Sequence, residues 1–186
     1  MLPPKRTLHR LEVPGTARFL TFSCFRRLPL FNDDLIRERF VEHLVRATAK
    51  PGIDLLAWVV MPEHVHLVVM FKGVTGESFC RSLKPAVSKE VIAWWRGLDA
   101  PMLATLRDRV GAQHFWQKGG GYDRNVIGDE LLEKIAYCPR NPVTRALCEA
   151  SVDWRWSSAR AYESQDDAAG PKISFGCLPR SSRPLT

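Results

Sequence analysis

Two histidines, His64 and His66, stand one residue apart at the head of an apolar run, His-Val-His-Leu-Val-Val-Met-Phe-Lys. Side chains alternate between the faces of a β-strand, so both imidazoles project from one face and Val65 from the other. Two imidazoles side by side on one face form a metal clamp that leaves room for water and substrate oxygens. The same spacing also fits two polar residues on an exposed sheet face. The context favours the clamp. Burying two imidazoles beside so apolar a strand requires hydrogen-bond partners or a metal. Two neutral ligands leave most of a divalent cation's charge uncompensated, which suits a phosphate substrate.

The charge of the chain points the same way. Its 186 residues include 27 Lys plus Arg against 20 Asp plus Glu, a net charge of +7. That balance favours a polyanionic partner, nucleic acid first, although a merely soluble basic protein has it too. Most of the basic residues are arginines, whose planar fork matches phosphate oxygens. Six Trp, nine Phe and three Tyr offer stacking faces for unpaired bases, but most of them must serve the core. Hydrophobic residues at 45% and charged residues at 25% exclude global disorder. No apolar run reaches the roughly 18 residues of a membrane span. Met1 to Arg10 is rich in Pro, Lys and Arg and has no secretory hydrophobic stretch. Five cysteines (Cys24, Cys80, Cys138, Cys148, Cys177) without a CxxC pair argue against a disulfide framework or zinc knuckle and fit reduced thiols in a cytoplasm.

The elements that must position the histidines follow from hydrophobic period and breakers. Residues 1–16 read as a basic arm. Ala17 to Phe25 reads as a strand, and Arg26 to Asn32 as a basic turn. A helix capped by Asp33 or Asp34 runs to about Lys50, where Pro51-Gly52 stops it. Ile53–Met61 and His64–Lys72 form a hairpin broken by Pro62-Glu63. A second helical region begins at Ser78, with Pro85 marking a kink or a start nearer Ser82. His114–Gln117 reads as the start of a strand, Gly119–Gly121 as a flexible loop and Tyr122–Ile127 as extended. Asp129 is the expected cap of a third helix. The order β-α-β-β-α-β-α predicts an α+β fold: a ferredoxin-like or RRM-like antiparallel sheet with helices on one face and an added C-terminal helix. The domain is expected over residues 17–163, with a flexible tail over 164–186.

Met61-Pro62-Glu63-His64-Val65-His66-Leu67-Val68 resembles the His-hydrophobic-His block of the single-tyrosine HUH transposases. Tyr137, Asn141-Pro142-Val143 and Trp156-Ser157-Ser158 resemble the second block of one branch, the REP-associated tyrosine transposases. Further matches, in order, are Thr21-Phe22, Arg26-Arg27-x-Pro29-Leu30-Phe31, Ser82-Leu83-Lys84, Phe115-Trp116-Gln117, Tyr122-Asp123-Arg124 and Trp154. Together they span residues 17–162.

The resemblance implies metal-dependent cleavage and joining of single-stranded DNA that carries a REP-like hairpin. Tyr137 would attack the scissile phosphodiester, giving a 5′-phosphotyrosine and a free 3′-OH. It also implies a bacterial, nucleoid-associated cytoplasmic protein, away from membranes, acting as a monomer or homodimer. A phenol is a poor nucleophile near neutral pH until its proton is removed or its oxyanion stabilised. Mg²⁺ or Mn²⁺ on His64 and His66 fits this chemistry, and imidazole ligands tilt the preference in vitro toward Mn²⁺. Asn141, four residues after Tyr137, shares its helix face and is the expected third ligand. Tyr122 and Tyr162 are lesser candidates for the nucleophile. Arg26, Arg27, Arg81, Lys84, Trp116, Gln117 and Arg124 are the expected DNA-binding residues, with Lys89 on the same helical region as Arg81 and Lys84. Pro139, between Tyr137 and Asn141, predicts a kink in their helix. Two other classes stand beside this one, and Pro139, together with Ala146 where relatives commonly carry glycine, favours the first of them. One is a nucleic-acid-binding module that does not cut; the other is a small metalloenzyme of different chemistry.

Overall fold

The computed structural model describes Val13 and residues 15–119, 121–164 and 170–178, apart from the Tyr122 side chain. Most of the expected basic arm, and residues 165–169 and 179–186 of the expected tail, lie outside the described residues. Four strands form one antiparallel sheet: β1 (Ala17–Ser23), β2 (Ile53–Met61), β3 (His64–Phe71) and β4 (Tyr122–Val126), in the order β2-β3-β1-β4. With α1 (Asp34–Thr48) between β1 and β2 and α2 (Gly76–Gly97) between β3 and β4, this is the ferredoxin-like arrangement. A short α3 (Met102–Thr105) follows α2. Beyond β4 come α4 (Gly128–Thr144) and α5 (Ala159–Ser164). Among the described residues, no helix is long and apolar enough to cross a membrane.

Alternation along the strands makes two cores. Leu20, Phe22, Trp58, Val60, Val65 and Leu67 pack with α1 and α2. Phe19, Ala57, Val59, Met61 and Val68 pack with Leu131, Ile135 and Cys138 of α4 on the other face. Each helix brings one apolar stripe. In α1 it is Ile36, Phe40, Leu44 and Ala47, and the cap is Asp33, whose carboxylate accepts from the Leu35 amide at 2.8 Å. In α2 the stripe is Phe79, Leu83, Val87, Val91 and Trp95 at strict four-residue spacing, capped by Thr75. Burial of Leu83 and Val87 on either side of Pro85 carries α2 through the proline as one helix, so neither the later start nor a break occurs.

Several expectations are corrected. Ile127, with no side-chain cap, precedes α4, and Asp129 lies inside its first turn. Residues 114–117 form no strand; Trp116 makes a single bridge to Cys24. Residues 170–178, assigned by sequence to a flexible tail, pack on β2. Ile173 and Leu178 are buried, and the Ser174 amide donates to the Leu55 carbonyl at 2.8 Å.

Candidate active site

The hairpin between β2 and β3 is only Pro62-Glu63, and the fold holds it from outside. The Phe31 amide donates to the Pro62 carbonyl and the Cys24 amide to the Glu63 carbonyl, both at 2.9 Å. This fixes the entry to β3, where His64 pairs with Ser23 and His66 with Thr21. Val65 goes to the α1–α2 core, and both imidazoles face the α4 side. The rings do not diverge. Their centroids lie 4.5 Å apart, and the two Nε2 atoms approach to 2.9 Å.

Each ring is held from its far edge. His64 Nδ1 lies 3.0 Å from Glu63 Oε1, and His66 Nδ1 lies 2.7 Å from the Thr21 hydroxyl. Because an ionised carboxylate only accepts, His64 carries its proton on Nδ1 and presents a lone pair at Nε2. Burial lowers the pKa of both rings. For His66 the value falls to about 3, with the neighbouring His64 adding to the effect; for His64, the Glu63 carboxylate opposes the shift. The pair is therefore neutral near pH 7, the state required of metal ligands.

α4 brings the other two predicted residues. Its buried stripe is Leu131, Ile135, Cys138, Asn141 and Pro142. Pro139 falls beside that stripe, and the helix continues through it to Thr144. Packing of Ile135 and Cys138 against the sheet offsets the lost backbone bond. Tyr137 and Asn141 thus keep their one-turn spacing. The Tyr137 ring stands edge-on to His66, with centroids 5.2 Å apart, and Phe19 packs against both rings. Tyr137 remains 39% exposed, so its phenol is open to a substrate. Asn141 is buried, and its Nδ2 has no hydrogen-bond partner.

Among the described residues, no group of three or more His, Cys, Asp and Glu is placed to hold a metal ion. A metal centre here would therefore depend on the two imidazoles and a neutral oxygen donor. The converging Nε2 atoms fit the imidazole part of such a donor set, and Asn141, buried on α4 one turn after Tyr137, carries the carboxamide oxygen that could complete it; its unpaired atom is the amide Nδ2, a donor and not a ligand.

Comparison with known proteins decides the family. The family described as "Transposase IS200 like" matches residues 18–137, from β1 to the tyrosine on α4. The chain belongs to the IS200-like transposases. Membership places it among proteins that bind, cut and move DNA. A solved REP-associated tyrosine transposase bound to a REP hairpin is 19% identical, with a TM-score of 0.64 over 89% of this chain and 96% of that one. It shares the fold. A candidate transposase from Deinococcus radiodurans R1 is 16% identical over 76% of this chain and 97% of that one, with a TM-score of 0.44. No curated protein matches the chain.

The basic residues of this IS200-like transposase fall into two groups. Arg27 lies beside the histidines and pairs with Glu63 at 2.9 Å. Arg26 covers the Phe25 ring, and its amide donates to the Gln117 carboxamide at 2.9 Å. Arg26 and Arg27 both adopt left-handed backbone conformations, with φ of 52° and 55°. Arg81 and Lys84 line a cleft of about 380 Å³ on the α2 side of the sheet, together with Cys80, Gly119, Gly121 and Asp123. Arg81 pairs with Glu77 on the helix surface, and Lys84 lies over the Phe22 and Trp116 rings. Arg124 pairs with Glu130 on the α4 side. Trp116 is corrected: it is a core residue packed on Phe22, Phe31 and Phe115, with its indole donating to the Lys84 carbonyl at 2.8 Å. A buried ring cannot stack on a base.

Three residues around the histidines carried no assigned role in the sequence. Glu63 read as a strand breaker and a member of the histidine block, Arg145 as one arginine among many, and Thr21 only as part of a motif. The spacing of Glu63 next to His64 was the one available signal.

Proposed function

We propose that this chain is a metal-dependent single-stranded DNA endonuclease and strand transferase acting on hairpin-forming, REP-like DNA. In this reading Tyr137 forms a 5′-phosphotyrosine link and leaves a free 3′-OH. The observation that carries it is the meeting of a half-exposed tyrosine with two converging imidazoles 71 and 73 residues before it in the chain, in an IS200-like transposase. The likeness in fold to a transposase bound to a REP hairpin supports the hairpin substrate.

His64, His66 and the Asn141 carboxamide would hold Mg²⁺ or Mn²⁺. When bound, the cation polarises a phosphate oxygen and offsets charge in the transition state. The chain's own residues do the rest. Phe19 and His66 wall the phenol and fix its direction. Arg27, exposed at the rim, would meet a phosphate flanking the scissile one. Arg26, Gln117, Arg81, Lys84 and Arg124 extend the contact along the strand. Tyr137 reaches His66 of its own chain, which supports a monomer that cleaves in cis. Residues 17–163 hold every one of these groups.

The test uses hairpin oligonucleotides with single-stranded flanks, labelled at either end, in Mn²⁺. The expected result is a shortened 5′-labelled product and a slow-migrating 3′-labelled adduct, both lost in Tyr137→Phe. Tight binding without product would establish the binding module instead. Neither binding nor cleavage would leave a different metalloenzyme.

A further inference from the structure

One carboxylate oxygen joins three elements of the site. Glu63 Oε1 lies 3.0 Å from His64 Nδ1, 2.9 Å from Arg27 Nη2 and 2.5 Å from Arg145 Nη1. Glu63 is only 7% exposed, in the two-residue turn that opens the histidine strand. Arg145 is the residue on which α4 ends, and its amide donates to the Asn141 carbonyl at 3.1 Å. Arg27 closes the basic turn after β1. A helix is stiff along its axis. Fixing Arg145 against β3 therefore fixes the rotation and height of Asn141, one turn back, and of Tyr137, two turns back. The two prolines in between make this tether matter more. Pro139 and Pro142 cannot donate to the Ile135 and Cys138 carbonyls, so the segment between the tyrosine and the helix end has lost two rungs.

We propose that Glu63 is the positioning residue that ties the nucleophile helix to the histidine pair. It does two separable things with one oxygen: it fixes the His64 tautomer and ring, and it anchors α4 through Arg145. This rests on the reading of Tyr137, His64 and His66 given above. An ordinary structural ion pair would add stability and nothing else. A tether sets the distance between phenol and phosphate in the folded protein, so losing it slows the chemical step even when the protein is folded and metal-saturated.

The experiment compares wild type, Glu63→Gln, Glu63→Ala, Arg145→Gln and the double variant E63Q/R145Q. Three quantities are read: Mn²⁺ affinity of the protein alone by calorimetry, single-turnover cleavage at saturating Mn²⁺, and melting temperature. Glu63→Gln retains an oxygen for His64 but loses the charge that holds Arg145. Arg145→Gln and Glu63→Gln are each expected to slow cleavage by about tenfold or more, the scale of a small misplacement of reacting groups. Because α4 also carries Asn141, both should lose some Mn²⁺ affinity, less than Glu63→Ala does, and the slowed cleavage must persist at saturating Mn²⁺. The double variant should be no slower than either single one, because both remove the same contact. Glu63→Ala should also weaken Mn²⁺ binding by about 10–100-fold, the usual effect of removing a group that orients a ligand. If Glu63→Ala does not fold, the Gln variants still decide. Wild-type cleavage rates in the two Gln variants, or losses that multiply in the double variant, would overturn the tether. If wild type itself neither binds Mn²⁺ nor cleaves, the reading of the site falls, and the tether falls with it for that separate reason.

Discussion

Thr21 and His66 face each other across the β1–β3 pair, with the threonine hydroxyl 2.7 Å from His66 Nδ1. This contact matters because a hydroxyl both donates and accepts. His64 presents a lone pair at Nε2, so without a cation the 2.9 Å approach of the two Nε2 atoms is satisfied when His66 places its proton between them. His66 Nδ1 then accepts from Thr21. Holding a cation demands lone pairs on both Nε2 atoms, and the proton must move to Nδ1, where Thr21 accepts it. Thr21 serves both tautomers.

Thr21→Val keeps the shape and removes the hydroxyl. It is expected to weaken Mn²⁺ binding by about 10–100-fold, the range for a lost ligand-orienting partner. Thr21→Ser should restore it. Calorimetric titration of the three proteins checks this; Thr21→Val binding as well as wild type would refute the argument.

Asn141 separates a ligand from a packing residue. Truncating a buried, fully bonded polar group usually strands its partners. The Asn141 Nδ2 has no partner to strand. Asn141→Ala is therefore expected to cost no more than about 1 kcal/mol in urea unfolding, while Mn²⁺ affinity falls clearly. A loss of stability of several kcal/mol with metal binding intact would make Asn141 a core residue.

Tyr137 and Tyr162 are not equivalent. The Tyr162 hydroxyl donates to the Leu56 carbonyl at 2.6 Å, and burial, then the nearby Cys138, pushes its pKa well above the ordinary phenol value. It cannot reach a substrate or ionise easily. Tyr162→Phe should leave the cleavage rate within about twofold of wild type and cost about 1 kcal/mol for the lost hydrogen bond. Loss of the covalent adduct in Tyr162→Phe, with Tyr137→Phe still active, would reverse the assignment.

Where local pattern and tertiary structure agree, the sequence was enough. Ile53–Met61 and His64–Phe71 are apolar runs around a Pro-Glu break, and they are β2 and β3. The His-Val-His alternation put both imidazoles on one face. Local rules misled where packing overrules them. Pro139 puts the Tyr137–Asn141 register in doubt, but α4 runs on through it to Thr144, with Ile135 and Cys138 packed on the sheet. Ile173 and Leu178 look like isolated apolar residues in a polar tail and are buried only because β2 leaves a face to cover. Trp116 has the composition of a stacking residue and the surroundings of a core one. Glu63 shows the deeper limit. Its partners come from positions 27, 64 and 145, and only His64 is near in sequence.

The end of α4 offers a test of backbone strain. Ala146 has a φ of 53°, in the left-handed region. Its amide donates to the Val143 carbonyl, and the Leu147 amide donates to the Pro142 carbonyl, each at 2.9 Å. This is the Schellman pattern, in which the left-handed residue is usually glycine because a Cβ meets the following carbonyl. Here the pattern is kept and alanine carries the strain. Ala146→Gly relieves that strain but gives the unfolded chain more freedom, so the net gain is less than the full penalty. A stabilisation of about 0.5–1 kcal/mol is expected, raising the melting temperature by about 1–4 °C for a chain of this size. Differential scanning calorimetry reads it directly. A lowered melting temperature would mean that the alanine is unstrained and that α4 ends there for another reason.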